Sequence, residues 1–346
     1  MDSQIDWFGN TISVLKDKVR TTHDQTVVVD SYKSKKVCFN NMKVKKALML
    51  LISFFGTIFL LGGCGFPGLA DTSSHTIRVA SDTSTESQIV GNIIVELIDH
   101  ETNHKSTILD NLGTGTMPHK ALQRDNADII ATSYSGTDLT GILQQPPVKS
   151  SRKAEKLVNT QLKQKFDEIR FPTFGFSDTY AFMVTQETAK KYNLNTISDL
   201  AKVGPQMQAG VDTSWMDRPG DGYNDFSRFY KFKFKRVFPM QLGLVYNAVA
   251  ANKMPTVLGY STDGRILSYN LKVLKDDKHF FPPYDCSLVA MGRTLRQYPE
   301  LKPLLHRLDG KINVKTMQKL NYEADDKLQE PSVVAENFLK EHNYFR

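Results

Sequence analysis

Cysteine is scarce in this chain. Cys38, Cys64 and Cys286 are all it has in 346 residues, an odd number in unrelated contexts, which excludes an even-numbered disulfide framework. A strong surplus of one charge is missing too. The formal net charge is +7, yet residues 1–63 hold nine Lys/Arg against five Asp/Glu, and the other 283 residues hold 35 against 32. So thin a surplus excludes a phosphate-tracking face and, with it, a nucleic-acid partner. Catalytic signatures are also wanting. "GYSTDG" (259–264) is one residue too long for a nucleophile elbow. His100 and His104 lack the glutamate that a zinc-protease helix carries between them, and read as a solvated helix end. "DGYND" (221–225) lacks calcium-loop spacing, and there is no glycine-rich phosphate loop, internal repeat or low-complexity tract. No catalytic residue, metal ligand or cofactor is therefore expected.

What is present describes a folded protein with an unusual start. Hydrophobic residues make up 40% and charged residues 23%, enough for a real core, and the length suits two lobes. Residues 42–64 read "MKVKKALMLLISFFGTIFLLGGC": three lysines, an apolar run over 47–61, two glycines and Cys64. These are the parts of an export signal. Leu61-Gly62-Gly63-Cys64 resembles the bacterial lipobox, in which the cysteine is diacylated and becomes the new N-terminus. A single membrane-spanning helix is the alternative, but cysteine falls at the boundary and a linker-like "GFPGLADTSS" follows. The expected organisation is thus a non-native extension (1–41), a lipoprotein signal peptide (42–63) and a tether (64–75), with translation starting at Met42 rather than Met1.

Beyond the tether, strand and helix patterns alternate. "TIRVAS" (76–81) and "ADIIATSY" (127–134) read as strands, and residues 83–100 place Ile89, Ile93, Ile94, Leu97 and Ile98 at helical spacing, with Thr85 and Gln88 as a capping box. A charged helix over 151–166 and a helix–loop–helix over 186–203 follow. "KFKFKRVFPM" (231–240) alternates like a half-exposed strand, and "LGLVYNAVAANKM" reads as a helix. From Arg293 the pattern is helical, broken at Pro299, Pro303 and Pro331. Such alternation implies an α/β fold with largely parallel sheets.

The more distinctive feature is a set of tyrosines beside small, hydroxyl or carboxylate residues: "SYSGTDLTG", "FSDTYAFMVT", "VLGYSTDGR" and "FFPPYDCS". Pockets need shape-holding rings and a few placed polar groups. Together with "GLVY", "LKDDKHFFPPYDC" and "EPSVVAENFL" in sequential order, these blocks resemble the substrate-binding lipoproteins of osmoprotectant ABC transporters, which take up glycine betaine, carnitine and choline. The likeness runs over roughly 75–346. It implies a two-lobed, type II periplasmic-binding-protein clamshell, crossed near 170–173 and 273–276, with lobe I from 75–171 and 275–346 and lobe II from 172–274. It also implies a cage of Tyr134, Tyr180, Tyr260 and Tyr284 around a quaternary ammonium.

Rings suit such a ligand because a trimethylammonium head has no N–H to donate, whereas aromatic faces attract it by about 0.5–2 kcal/mol each once desolvated. By the same resemblance Thr137 belongs to broad binders rather than choline-selective ones, and it adjoins helix amides able to meet a carboxylate. Asp82 and Asp178 stand where the family commonly has amides. They either favour a cation such as choline or serve the backbone, Asp82 as a cap and Asp178 on an amide. Implied partners are the ligand, a permease with a cytoplasmic ATPase, and the membrane through the lipid anchor. A choline-selective binder and a surface sensing lipoprotein with no transport role are the alternatives. Cys286 is expected to be a buried thiol.

Overall fold

The computed structural model describes residues 76–345, apart from Thr114 and Pro219. The extension, signal peptide, Cys64 and tether lie outside the described residues. Among the described residues no helix is long and apolar enough to cross a membrane.

Two five-stranded sheets organise the chain. It first lays down β1 (Ile77–Ala80), β2 (Ser106–Leu109), β3 (Ile129–Tyr134) and β4 (Glu168–Arg170). Residues 171–179 then lead to β5 (Tyr180–Thr185), β6 (Gln208–Asp212), β7 (Arg236–Met240), β8 (Thr256–Tyr260) and β9 (Leu271–Val273). Residues 274–285 return it for β10 (Cys286–Met291), which enters the first sheet. The spatial orders are β2-β1-β3-β10-β4 and β7-β6-β8-β5-β9. Each sheet is less parallel than the sequence pattern implies. β1 and β6 pair in parallel with both neighbours, whereas β10 and β5 are antiparallel to both of theirs. The reason is connectivity: these are the strands by which the chain enters one sheet from the other, and no βαβ crossover fixes their direction.

Helices cover both sheets. Those that bear on the site are α1 (Thr85–Glu101), α2 (Met117–Gln123), α3 (Val314–Asp325) and α4 (Pro331–Glu341). The isoleucine and leucine face of α1 is wholly buried against β1, β3 and the apolar side of α4. Its cap differs from the expected capping box. Ser84 Oγ accepts from the Ser87 amide at 3.2 Å, because the Thr85 hydroxyl is drawn away to donate to Asp325 at 2.7 Å. The second sheet packs on an aromatic cluster that includes Phe182, Trp215, Phe226, Phe280 and Phe281.

Two further local readings need correction. Only Arg236–Met240 of "KFKFKRVFPM" is strand; Lys231 ends the preceding helix in a left-handed conformation (φ 59°), and Phe232 and Phe234 turn into the aromatic core. The alternation there reflects two buried anchors among solvated lysines, not sheet pleat. Pro331 opens α4 rather than breaking a helix, and Pro303 sits in the first turn of helix Leu301–Leu305. Both are places where the missing N–H costs little.

Candidate functional site

Strand register does much of the positioning. Tyr180 on β5 lies directly opposite Tyr260 on β8, so both side chains leave the same face; their rings stack at 5.1 Å with 24° between planes. Tyr134 ends β3, paired with Cys286 of β10, and Tyr284 lies two residues before that strand. The four rings, Tyr180 and Tyr260 from the second sheet, Tyr134 from the first and Tyr284 from the segment leading into it, line one cavity of about 210 Å³ together with Asp82, Thr137 and Asp178. All seven residues singled out from the sequence thus face a common hollow. A Cβ on Gly136 would lie 2.8 Å from Cε1 of Tyr284, so the glycine admits a second ring of the set.

Charge is distributed unevenly around the cavity. One wall is acidic. Asp82 Oδ1 accepts from the Ser84 amide at 2.7 Å; the cap expected of Asp82 is taken by Ser84, and Asp82 borders the cavity. Asp178 interacts with the backbone and hydroxyl of Thr262, while its Oδ1 is buried with no hydrogen-bond partner among the described residues. Burial pushes its carboxyl up to about 6. Behind this wall stands Glu86, almost fully buried in the first turn of α1. The Tyr134 hydroxyl donates to its Oε1 at 2.6 Å and Asn321 Nδ2 to its Oε2 at 3.4 Å. Burial, then the Asp178 charge, push Glu86 up to about 8.

Arg218 lines the cavity as well. Its guanidinium pairs with Asp221 at 3.0 Å, donates from Nη2 to the Tyr284 hydroxyl at 2.6 Å, and lies 5.4 Å from the Tyr180 ring centroid. The floor is Asp138, held by the buried His119. His119 bridges Asp138 Oδ1 through Nε2 at 3.0 Å and Glu168 Oε2 through Nδ1 at 2.6 Å. Burial works against the imidazolium, but the Asp138 and Glu168 charges outweigh it and hold the pKa at about 10.

Glu86, Arg218 and His119 were not anticipated. Glu86 carries a signal in hindsight. It precedes Ile89, Val90 and Ile93 at spacings of three, four and seven, so it belongs to the buried face of its helix. Arg218 looks like an ordinary i,i+3 partner of Asp221 beside a Pro-Gly turn, and nothing in "DTSWMDRPGDG" points it at a pocket. Cys286 is a buried free thiol, as expected. No group of His, Cys, Asp and Glu among the described residues is arranged to hold a metal.

A raised Glu86 pKa has a consequence for stability. Its folded value of about 8 lies above the ordinary glutamate value of 4.5, so its contribution is fully present below about 4.5 and is lost as pH rises through 8. The melting temperature of the wild type is therefore expected to fall more between pH 5 and 8.5 than that of Glu86→Gln, as followed by circular dichroism. Parallel curves would show that Glu86 does not bind the extra proton.

The model of the OpuAC family, the substrate binding domain of ABC-type glycine betaine transport systems, matches residues 75–341. The chain belongs to this family. It is 50% identical over 304 residues to the carnitine transport binding protein OpuCC of Listeria monocytogenes, covering 88% of this chain and 99% of that one. It is 32% identical over 265 residues to the ergothioneine transport permease/ergothioneine binding protein EgtU of Helicobacter pylori, covering 76% of this chain and 47% of that protein. Among solved structures, a crystal structure described as a glycine betaine/carnitine/choline ABC transporter superposes with a TM-score of 0.76 at 51% identity, covering 78% of this chain and all of that one. This OpuAC family member is accordingly a substrate-binding protein of an osmoprotectant ABC transporter, not an enzyme, and as such works outside the cytoplasm. Its fold is the two-lobed α/β architecture of type II periplasmic binding proteins.

Proposed function

We propose that the protein captures quaternary ammonium osmoprotectants between its two lobes and favours the zwitterions, carnitine and glycine betaine, over choline. The observation that supports this most directly is one cavity lined by four tyrosines, the carboxylates of Asp82 and Asp178, and Arg218. The rings of Tyr134, Tyr180, Tyr260 and Tyr284 enclose the onium head, with Asp82 and Asp178 on its side. The ligand carboxylate points to Arg218 and Thr137. Choline lacks that carboxylate and gains nothing from Arg218.

Lobe I is taken as 75–171 with 275–346, and lobe II as 172–274. The crossings near 170–173 and 273–276 are the hinges. Closure joins rings from both lobes, so ligand favours the closed state through contacts available only there. The protein is anchored by acylated Cys64 and hands its ligand to a permease.

Calorimetric titration with betaine, carnitine and choline tests the reading. Arg218→Gln is expected to weaken the two zwitterions by about 10–100-fold, the worth of a charge-assisted hydrogen bond of roughly 1.5–3 kcal/mol, and choline far less. Choline binding tenfold tighter than either zwitterion would instead establish the choline-selective alternative, with Asp82 and Asp178 as its cause.

A further inference from the structure

Glu86 does not border the cavity, yet it is tied to the cavity from behind. Three elements converge on its carboxyl: β3 through the Tyr134 hydroxyl, α3 through Asn321, and the turn after β8 through Thr262. Asn321 also donates to the Thr262 carbonyl at 2.9 Å, so the same amide joins Glu86 to the element carrying Tyr260. Asp178, whose Oδ1 lacks a partner among the described residues, faces Glu86 across this junction.

We propose that Glu86 is a specificity-determining residue that senses the charge of the bound molecule: an onium ion in the cleft expels the proton that the buried Glu86 carboxyl holds. The inference rests on the proposed onium site. In the step, the carboxylic O–H breaks, the electron pair stays on the carboxylate, and the proton passes to solvent. Tyr134 already donates to this carboxyl, and it donates more strongly to the charged form, which raises the electron density of the ring that meets the cation. Anion, phenol and onium then form a line of alternating charge and dipole inside a medium that screens poorly.

The surroundings leave this task to Glu86 and Asp178. On α1's own approach, Asp82 is committed to Ser84. In the turn after β8, Asp263 is bound to Arg265, and on α3 Asp325 accepts from Thr85. From β10, Cys286 is a thiol that burial holds well above its ordinary pKa, and from β4, Arg170 is spent on Asp138 and main-chain carbonyls. Burial and the Glu86 charge also raise the Tyr134 phenol, so the phenol keeps its proton and remains a donor. With Glu86 and Asp178 pushed up to about 8 and about 6, release falls in the range where choline and betaine are stable.

The experiment measures Kd by calorimetry from pH 5.5 to 9 for three probes: choline, glycine betaine, and the neutral carbon isostere of choline. Each proton released per ligand gives about a tenfold gain in affinity per pH unit. Choline binding is expected to tighten by up to about tenfold per unit between pH 6 and 8 and then level off. Betaine should follow a shallower slope, and the carbon isostere should be flat. Glu86→Gln keeps a hydrogen-bonding group beside Tyr134 and should flatten the choline profile. Proton release by the wild type is read independently from binding heats in buffers of different ionisation enthalpy, which decides the matter should the variant fail to fold. A flat wild-type profile overturns the inference, and so does an unchanged slope in Glu86→Gln. If none of the onium probes binds at any pH, the onium site itself is wrong, a failure distinct from binding without pH dependence.

Discussion

Replacing Tyr260 and Tyr284 together by alanine is expected to abolish measurable binding of betaine, carnitine and choline while leaving the fold intact. These two rings are the suitable pair because one ends β8 and the other precedes β10 of the other sheet, and both are half-buried. Tyr180, by contrast, is buried and packs on Trp215 and Phe281, so its removal would also open the core. Each lost face forfeits about 0.5–2 kcal/mol of cation–π attraction, and burial of the ligand methyls adds a comparable amount. Two rings together correspond to roughly a hundred- to ten-thousand-fold rise in Kd. Tyrosine-to-phenylalanine at the same positions keeps the faces and should cost far less. Calorimetry gives the affinities, and melting curves confirm the fold. Retained micromolar affinity in the double alanine variant would place the ligand elsewhere.

The second large effect concerns stability. His119→Ala leaves Asp138 and Glu168 in a dry interior without the cation between them. Asp138 keeps Ser133 and a more distant Arg170, at 3.6 Å, and Glu168 keeps Gln123 at 2.9 Å. Breaking a buried charge pair from one side costs about 3–5 kcal/mol, which lowers the melting temperature of a chain this size by about 10 °C. The His119 pKa is raised from 6.5 to about 10. Its contribution is therefore complete below 6.5 and fades as pH rises through 10, and the gap between wild type and variant should narrow over that interval. A gap under 2 °C at pH 6 would show that the two acids are neutral in the fold. Affinity is expected to suffer as well, since Asp138 forms the cavity floor.

How much of this was legible beforehand depended on range. The α1 stripe, helix Ser151–Phe166 and the strand ending in Tyr134 follow from local periodicity, which a short window contains. The tyrosines were located through a resemblance spread across several blocks, and the structure gathers them around one hollow. Arg218 escaped because its closest charged partner, Asp221, is local while its approach to Tyr180 and Tyr284 is tertiary. His119 escaped because its two acids lie 19 and 49 residues away. The strand assigned to Phe232 and Phe234 failed for a related reason: period-two alternation also arises where an irregular segment buries every second side chain.

The position of β10 bears on how the molecule comes to be. The first sheet cannot close until residues 286–291 slot between β3 and β4, more than a hundred residues after β4 has been made. A chain emerging amino-end first therefore carries an incomplete sheet, with β3 and β4 unbridged, while residues 171–285 are made. Such late ring closure slows folding and keeps the polypeptide loose, the condition in which a protein destined for the far side of a membrane can still be threaded through a narrow pore.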